Sequence, residues 1–237
     1  LDDQLLQTLL PTLAERVFEL LFLRPDDFNG QDIANIIWSC AELQARGAAV
    51  SPLLDILPIL SEVAEKRADV MNEQDVANVM WSCAILQTGD TPVPELLNIV
   101  PLVSAVALKR ADTMTARGIA NVFWAASLLK EKVDVAAGLI PKLARVTLER
   151  SPRWKAKEVE MNLPMIATAL ARLEDRQQHP LLKAIAKRLE GTLDRMNDWG
   201  LCALMWSFTE VFKEVEVGDF RERLRAEVER RGLSEEL

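Results

Sequence analysis

The chain has 237 residues, 49% of them apolar, which is enough to bury a sizeable core and suits one large domain or two small ones. A net charge of −8 argues against a surface coated with phosphate-binding cations, and the single histidine, His179, excludes a multi-histidine metal site and leaves little room for a histidine triad. Three cysteines without C-x-x-C spacing give neither a disulfide framework nor a zinc site, and they fit a reducing compartment.

In chain order, the first predicted element is a helix around LLPTLAERV, centred on Pro11. The linker Arg24 to Gly30 leads into a second helix within Phe28 to Gln44, which begins after Asn29. There Asn29 and Asp32 form a variant capping box with Asp in place of Glu. The linker Arg46 to Pro52 opens a helix to Ala68 with Pro58 at its centre, and Asp69 to Asn72 leads to a helix within Met71 to Gln87 capped by Asn72 and Asp75. Asp90 to Pro94 begins the next pair, a helix over Pro92 to Ala111 and another within Met114 to Lys130, joined by Asp112 to Thr115. Val133 to Arg150, a basic turn Ser151 to Lys157, and helices containing Pro164 to Leu173, LLKAIAKRL and CALMWSFTEV complete the pattern. The charged amphipathic run Asp219 to Arg231 is the last helix. The longest apolar stretch, Leu96 to Leu108, is interrupted and too short to span a bilayer. The chain begins at Leu1 and not Met, so any targeting segment is expected to have been removed or left out.

Two motifs alternate through this series. FNGQDIANIIWSCAELQ, MNEQDVANVMWSCAILQ and MTARGIANVFWAASLLK place Trp38, Trp81 and Trp124 at intervals of 43 residues, and Trp206 holds the same position in a later copy. Thr168 replaces the tryptophan in a degenerate copy between them. The second motif is centred on Pro11, Pro58, Pro101 and Pro141, with Lys183 in place of a fifth proline. The two motifs keep a spacing of either 23 or 27 residues, a difference of about one helical turn. Each unit therefore reads as a helix A carrying the tryptophan and a helix B carrying the proline, which should kink B or divide it. The expected fold is all-α: one domain, a right-handed α-solenoid of about five two-helix repeats, with units near 1–44, 45–87, 88–130, 131–174 and 175–237.

The helix running from Gln31 to Leu43, with its second copy from Gln74 to Leu86 and a weaker third from Gly118 to Leu128, resembles the octotricopeptide repeat family of algal and protist organelles. It is also similar to the heptatricopeptide repeats of apicomplexans and to the helical part of FAST-kinase-like proteins. The resemblance covers most of the chain, although its period is longer than the family's nominal repeat. It implies a helical-repeat fold, a location in a mitochondrion or chloroplast, and binding to messenger or ribosomal RNA or incorporation into an organellar ribosome.

Trp38, Trp81, Trp124 and Trp206 read as core wedges between units, since each sits among small and apolar residues; the alternative is a set of stacking platforms for bases. Asn35, Asn78 and Asn121 recur on the polar stripe of helix A, with Ser39 and Ser82 beside two of them. Such a stripe either bonds backbone carbonyls of the neighbouring unit or meets bases. Arg67, Arg110 and Arg150 each lie nine residues after a central proline, where they complement the dipole of helix B or, as a ladder, hold phosphates. Residues 1–150 carry 13 Lys and Arg against 20 Asp and Glu, while 151–237 carry 15 against 16, so RNA is expected to favour the C-terminal part. There Arg153, Lys155 and Lys157 surround Trp154 as the candidate basic patch.

No nucleotide loop, metal cluster or nucleophile constellation is visible, so no enzymatic activity, cofactor or small-molecule substrate is expected. The function read from these residues is a non-catalytic binding module for organellar RNA. The alternative is a scaffold for other protein subunits of a large organellar complex.

Overall fold

A computed structural model of the chain describes residues 3–48, 51–88 and 92–233. Parts of the two expected A-to-B linkers, residues 49–50 and 89–91, lie outside the described residues. Among the described residues every regular element is helical and no strand occurs. In order these are α1 (Asp3–Leu23), α2 (Gly30–Ala45), α3 (Ser51–Leu54), α4 (Leu57–Arg67), α5 (Glu73–Thr88), α6 (Val100–Arg110), α7 (Ala116–Leu129), α8 (Leu139–Arg150), α9 (Ala156–Leu173), α10 (His179–Leu189), α11 (Asp198–Met205) and α12 (Phe220–Arg230). None of the described helices is long and apolar enough to cross a membrane.

The A helices are α2, α5, α7, α9 and α11, and local chemistry fixes where they begin. At α2 the Asn29 side chain accepts from the Asp32 N–H at 3.0 Å while Asp32 accepts from the Asn29 N–H at 3.0 Å, a closed capping box. Asn72 and Asp75 repeat it at α5, with bonds of 3.0 and 3.1 Å. Thr115 caps α7 by accepting from Gly118, and Asn197 caps α11 by accepting from Gly200.

The recurring prolines mark the starts of B helices, where a missing N–H costs little. Pro58 lies in the first turn of α4, separated from the short α3 by a turn at residues 55–56. Pro101 opens α6 after a 3-10 stretch, Pro94–Ile99, and Pro180 opens α10. Helix B is thus divided where the sequence allowed either a kink or a division. Pro11 and Pro164 differ, since both lie inside continuous helices.

Four B-to-A junctions share one shape: a single 3-10 turn followed by one extended residue, which is Phe28, Met71, Trp154 or Met196. Met71, Trp154 and Met196 are buried there as plugs beneath the junction. Gly30 follows the Phe28 junction because a Cβ at this position would stand 3.0 Å from Met71 Cγ and 3.3 Å from its Cα.

The helices group into two compact units, Leu1–Thr113 with Leu128–Leu139, and Met114–Ser127 with Ile140–Leu237. In the first, α2 lies along α5, each packs on the B helix that follows it (α4 and α6), and α1 covers α3 and α4. Ile33, Ile37, Leu57, Leu60, Met71 and Met80 fill the space between. In the second, α9 lies along α11, with α10 against α9 and α12 against α11. Its largest buried side chains are Phe123, Phe208, Phe212 and Phe220. Beyond Met205 the last A helix widens into a π-helical stretch, Trp206–Val211.

Candidate nucleic-acid interface

The tryptophans expected as core wedges are placed differently. Trp38, Trp81, Trp124 and Trp206 are all half-buried, at the margin of the core, while phenylalanines and aliphatic residues occupy its interior. An indole is too large to be enclosed fully at a helix–helix seam lined with alanines, and its edge stays at the surface.

The polar stripe also departs from the expected asparagine ladder. Asn35 is exposed, Asn78 and Asn121 are half-buried, and the structure gives none of the three amides a hydrogen bond to a neighbouring carbonyl. The adjacent serines are satisfied within their own helices: Ser39 donates to the Asn35 carbonyl and Ser82 to the Asn78 carbonyl, both at 2.7 Å. Ser207, at the same register, donates to the Ala203 carbonyl at 2.6 Å, and Thr168, at the tryptophan register, donates to the Pro164 carbonyl at 2.8 Å. The Ser39 and Ser82 hydroxyls are thus engaged within their own helices. Asn35 lines a cleft of about 440 Å³ together with Phe28, Arg24, Asp27 and Asp32.

The arginine ladder is engaged inside the fold. Arg67 donates to the backbone carbonyl of Asp26 at 3.2 Å and to its carboxylate at 2.9 Å. Arg150 donates to the Met114 carbonyl at 2.7 Å. Two arginines outside the sequence ladder do the same: Arg188 reaches the Trp154 carbonyl at 3.1 Å, and Arg231 reaches the carbonyls of Leu193, Asp194 and Met196 at 3.3, 2.8 and 2.7 Å. The common target is the backbone carbonyls of a B-to-A junction 34 to 41 residues upstream. Arg67, Arg110 and Arg150 stand in the last turns of α4, α6 and α8, where a cation complements the helix dipole, and the carbonyl bonds of Arg67 and Arg150 also tie successive helix pairs together. Arg110 is half-buried, and its charge acts on the Asp75 carboxylate. Burial raises the Asp75 carboxyl above its ordinary range, against the lowering effect of the Asn72 N–H. At the last junction Glu227 binds both Arg230 and Arg231 and is pulled down to about 2 by those hydrogen bonds.

The basic patch keeps its cations but not its aromatic. Arg153, Lys155 and Lys157 are exposed, with the Lys155 N–H donating to Glu158 at 2.8 Å to start α9. Trp154 is only 8% exposed, because it is the junction plug equivalent to Met71 and Met196, so its ring is closed to a base. The chain signals this only through register: Trp154, like Met71 and Met196, stands two residues before the first residue of an A helix.

An aromatic cluster that the repeats did not reveal forms instead in the second unit. Arg172 from α9 stands 5.1 Å from the centre of the Trp124 ring of α7, in cation–π geometry. Trp199 from α11 meets the same ring edge to face, with centroids 5.9 Å apart and planes at 70°. Trp199 is 44% exposed and Arg172 is exposed. Charge is divided to match. The first unit holds 9 Lys and Arg against 19 Asp and Glu, and the second holds 19 against 17.

Among the described residues no group of three or more His, Cys, Asp and Glu side chains is close enough to hold a metal ion. Cys40 and Cys83 occupy the same repeat position, are buried, and have thiols pushed up to about 12 by that burial; Cys202 is half-buried. A maleimide probe at pH 8 is accordingly expected to label one thiol, Cys202, in the folded protein and all three after unfolding in guanidinium. Prompt labelling of two or three thiols without denaturant would contradict the enclosed packing of Cys40 and Cys83. No family model matches the chain, and no curated protein matches its sequence significantly.

Proposed function

We propose that the chain is a non-catalytic helical-repeat module of octotricopeptide type, a right-handed α-solenoid that binds single-stranded organellar RNA. The observation that carries this reading is the repeated amide of Asn35, Asn78 and Asn121, presented at one register of successive A helices without a hydrogen-bond partner among the described residues. An amide offers a donor and an acceptor together, which suits the edge of a base. The lateral packing of A on A and the arginine ties between successive pairs support a repeat array. The near-neutral, slightly cationic second unit supports contact with phosphates there.

The test is binding of the purified chain to total organellar RNA at two salt concentrations. Retention at low salt that falls several-fold between about 50 and 200 mM salt is the expected result. Absence of binding at low salt would overturn the RNA reading.

A second reading, a protein scaffold in a large organellar assembly, is favoured by the first unit. Along α1, Leu9, Leu13, Phe18, Phe22 and Leu23 are between 46% and 71% exposed, and the surrounding unit is strongly acidic. Such a surface suits an apolar protein helix flanked by basic residues.

A further inference from the structure

We propose that Trp124, Arg172 and Trp199 form a base-stacking subsite for single-stranded RNA in the second unit; the proposal rests on the RNA reading above and locates it. Three helices contribute one side chain each. Trp124 is held half-buried in α7, with Arg172 of α9 over its ring at 5.1 Å and Trp199 of α11 edge to face with it at 5.9 Å, so it anchors the cluster and the 44% exposed Trp199 is the ring that offers a base a face. An exposed tryptophan ring beside a guanidinium plane is a surface on which any base gains stacking and cation–π energy, without needing a particular sequence.

The flanking residues fit a polyanion. On α9 the positions 157, 161, 165 and 172 share one face, which aligns exposed Lys157, Met161 at 58% exposure, and Arg172 along the helix. On α7 the positions 117, 121 and 124 share a face, placing exposed Arg117 and the amide of Asn121 in line with Trp124. Asp198 of α11 pairs with Arg231 at 3.0 Å and Glu160 of α9 with Arg195 at 3.4 Å. Exposed Arg117 and Lys157 add positive charge along the faces of α7 and α9. Duplex RNA keeps its bases stacked on one another and has no ring to offer this site, so the subsite discriminates for single strands.

The experiment uses the full chain with fluorescein-labelled 12-nucleotide poly(U) and poly(A), and with a 12-base-pair RNA duplex, at low salt. Expected are binding of both single strands in preference to the duplex, quenching of tryptophan emission, and a five- to hundred-fold loss of affinity in Trp199→Ala. Trp199→Phe should recover most of the loss, and Arg172→Ala should weaken binding. Lys183→Ala, which removes one exposed cation on α10, should change it little. Because Trp199 is exposed, the variants are expected to melt like the wild type, and matching melting curves verify that. If the wild type binds no RNA, the functional reading and the subsite fall together. If it binds RNA and Trp199→Ala binds equally well, or if duplex competes as well as single strands, the subsite alone is overturned. Loss of a bound protein from Trp199→Ala, with no RNA binding by the wild type, assigns this surface to a protein interface and overturns the proposal.

Discussion

Replacing Phe208 by alanine is expected to destabilise the second unit by about 3–5 kcal/mol, a fall in its melting temperature on the order of 10 °C. Phe208 is 0% exposed and lies in the π-helical stretch, edge to face with Phe220 of α12 at 5.2 Å between ring centres. Truncation removes the apolar burial of a whole ring and leaves a cavity that two helix ends must collapse around, so both contributions act in the same direction. Phe208→Leu keeps most of the volume and should cost only about 1 kcal/mol. Trp206→Ala, two residues away, is the informative comparison. Its indole is half-buried, so the loss is expected to be roughly half that of Phe208→Ala despite the larger side chain. Guanidinium unfolding followed by helical circular dichroism measures all three. A Trp206→Ala variant that loses more than Phe208→Ala would mean that the tryptophans, and not the phenylalanines, carry this core.

The ordering of those two residues shows where sequence and structure part. Helix starts were legible because they are local: Asn29 with Asp32, and Asn72 with Asp75, close their capping boxes within one turn. The division of helix B at Pro58 and Pro101 was legible for the same reason, since a proline acts on its own turn. Burial of the tryptophans was not, because periodicity says that a residue faces a neighbour without saying whether the seam can enclose an indole. Three cations surround Trp154 in the sequence and suggest a surface cluster, yet its backbone register makes it a plug. The arginine ties run 34 to 41 residues back along the chain to carbonyls, and a carbonyl is invisible in a one-letter pattern. The convergence of Trp124, Arg172 and Trp199 was hidden for a further reason: only Trp124 holds a repeat position, so register drew attention to one member alone.

The second large effect is expected at Arg221, where a single guanidinium holds the end of the π-helical stretch. Its Nε donates to the Phe208 carbonyl at 2.8 Å, and its Nη2 donates to the carbonyls of Phe212 and Val215 at 2.9 and 2.6 Å. A π-helical end leaves carbonyls without the partners an α-helix would supply, and residues 212–219 have no regular structure to take them up. Arg221 supplies both needs from the first turn of α12, one residue after the buried Phe220. Arg221→Met retains the aliphatic stem but leaves three half-enclosed acceptors unmatched, and the expected cost is about 2–4 kcal/mol. Arg221→Lys should recover only part of it, since an ammonium group cannot reproduce a planar fork reaching three carbonyls. Hydrogen exchange gives a signature that simple destabilisation does not. Amides of residues 212–219 and the first turn of α12 should lose protection in Arg221→Met at denaturant concentrations where α9 and α10 remain protected. Uniform loss of protection across the second unit would mean that Arg221 contributes to global stability only. Unchanged stability would mean that water satisfies these carbonyls as well as the guanidinium does, and that the π-helical end is held by Phe208 and Phe220 alone.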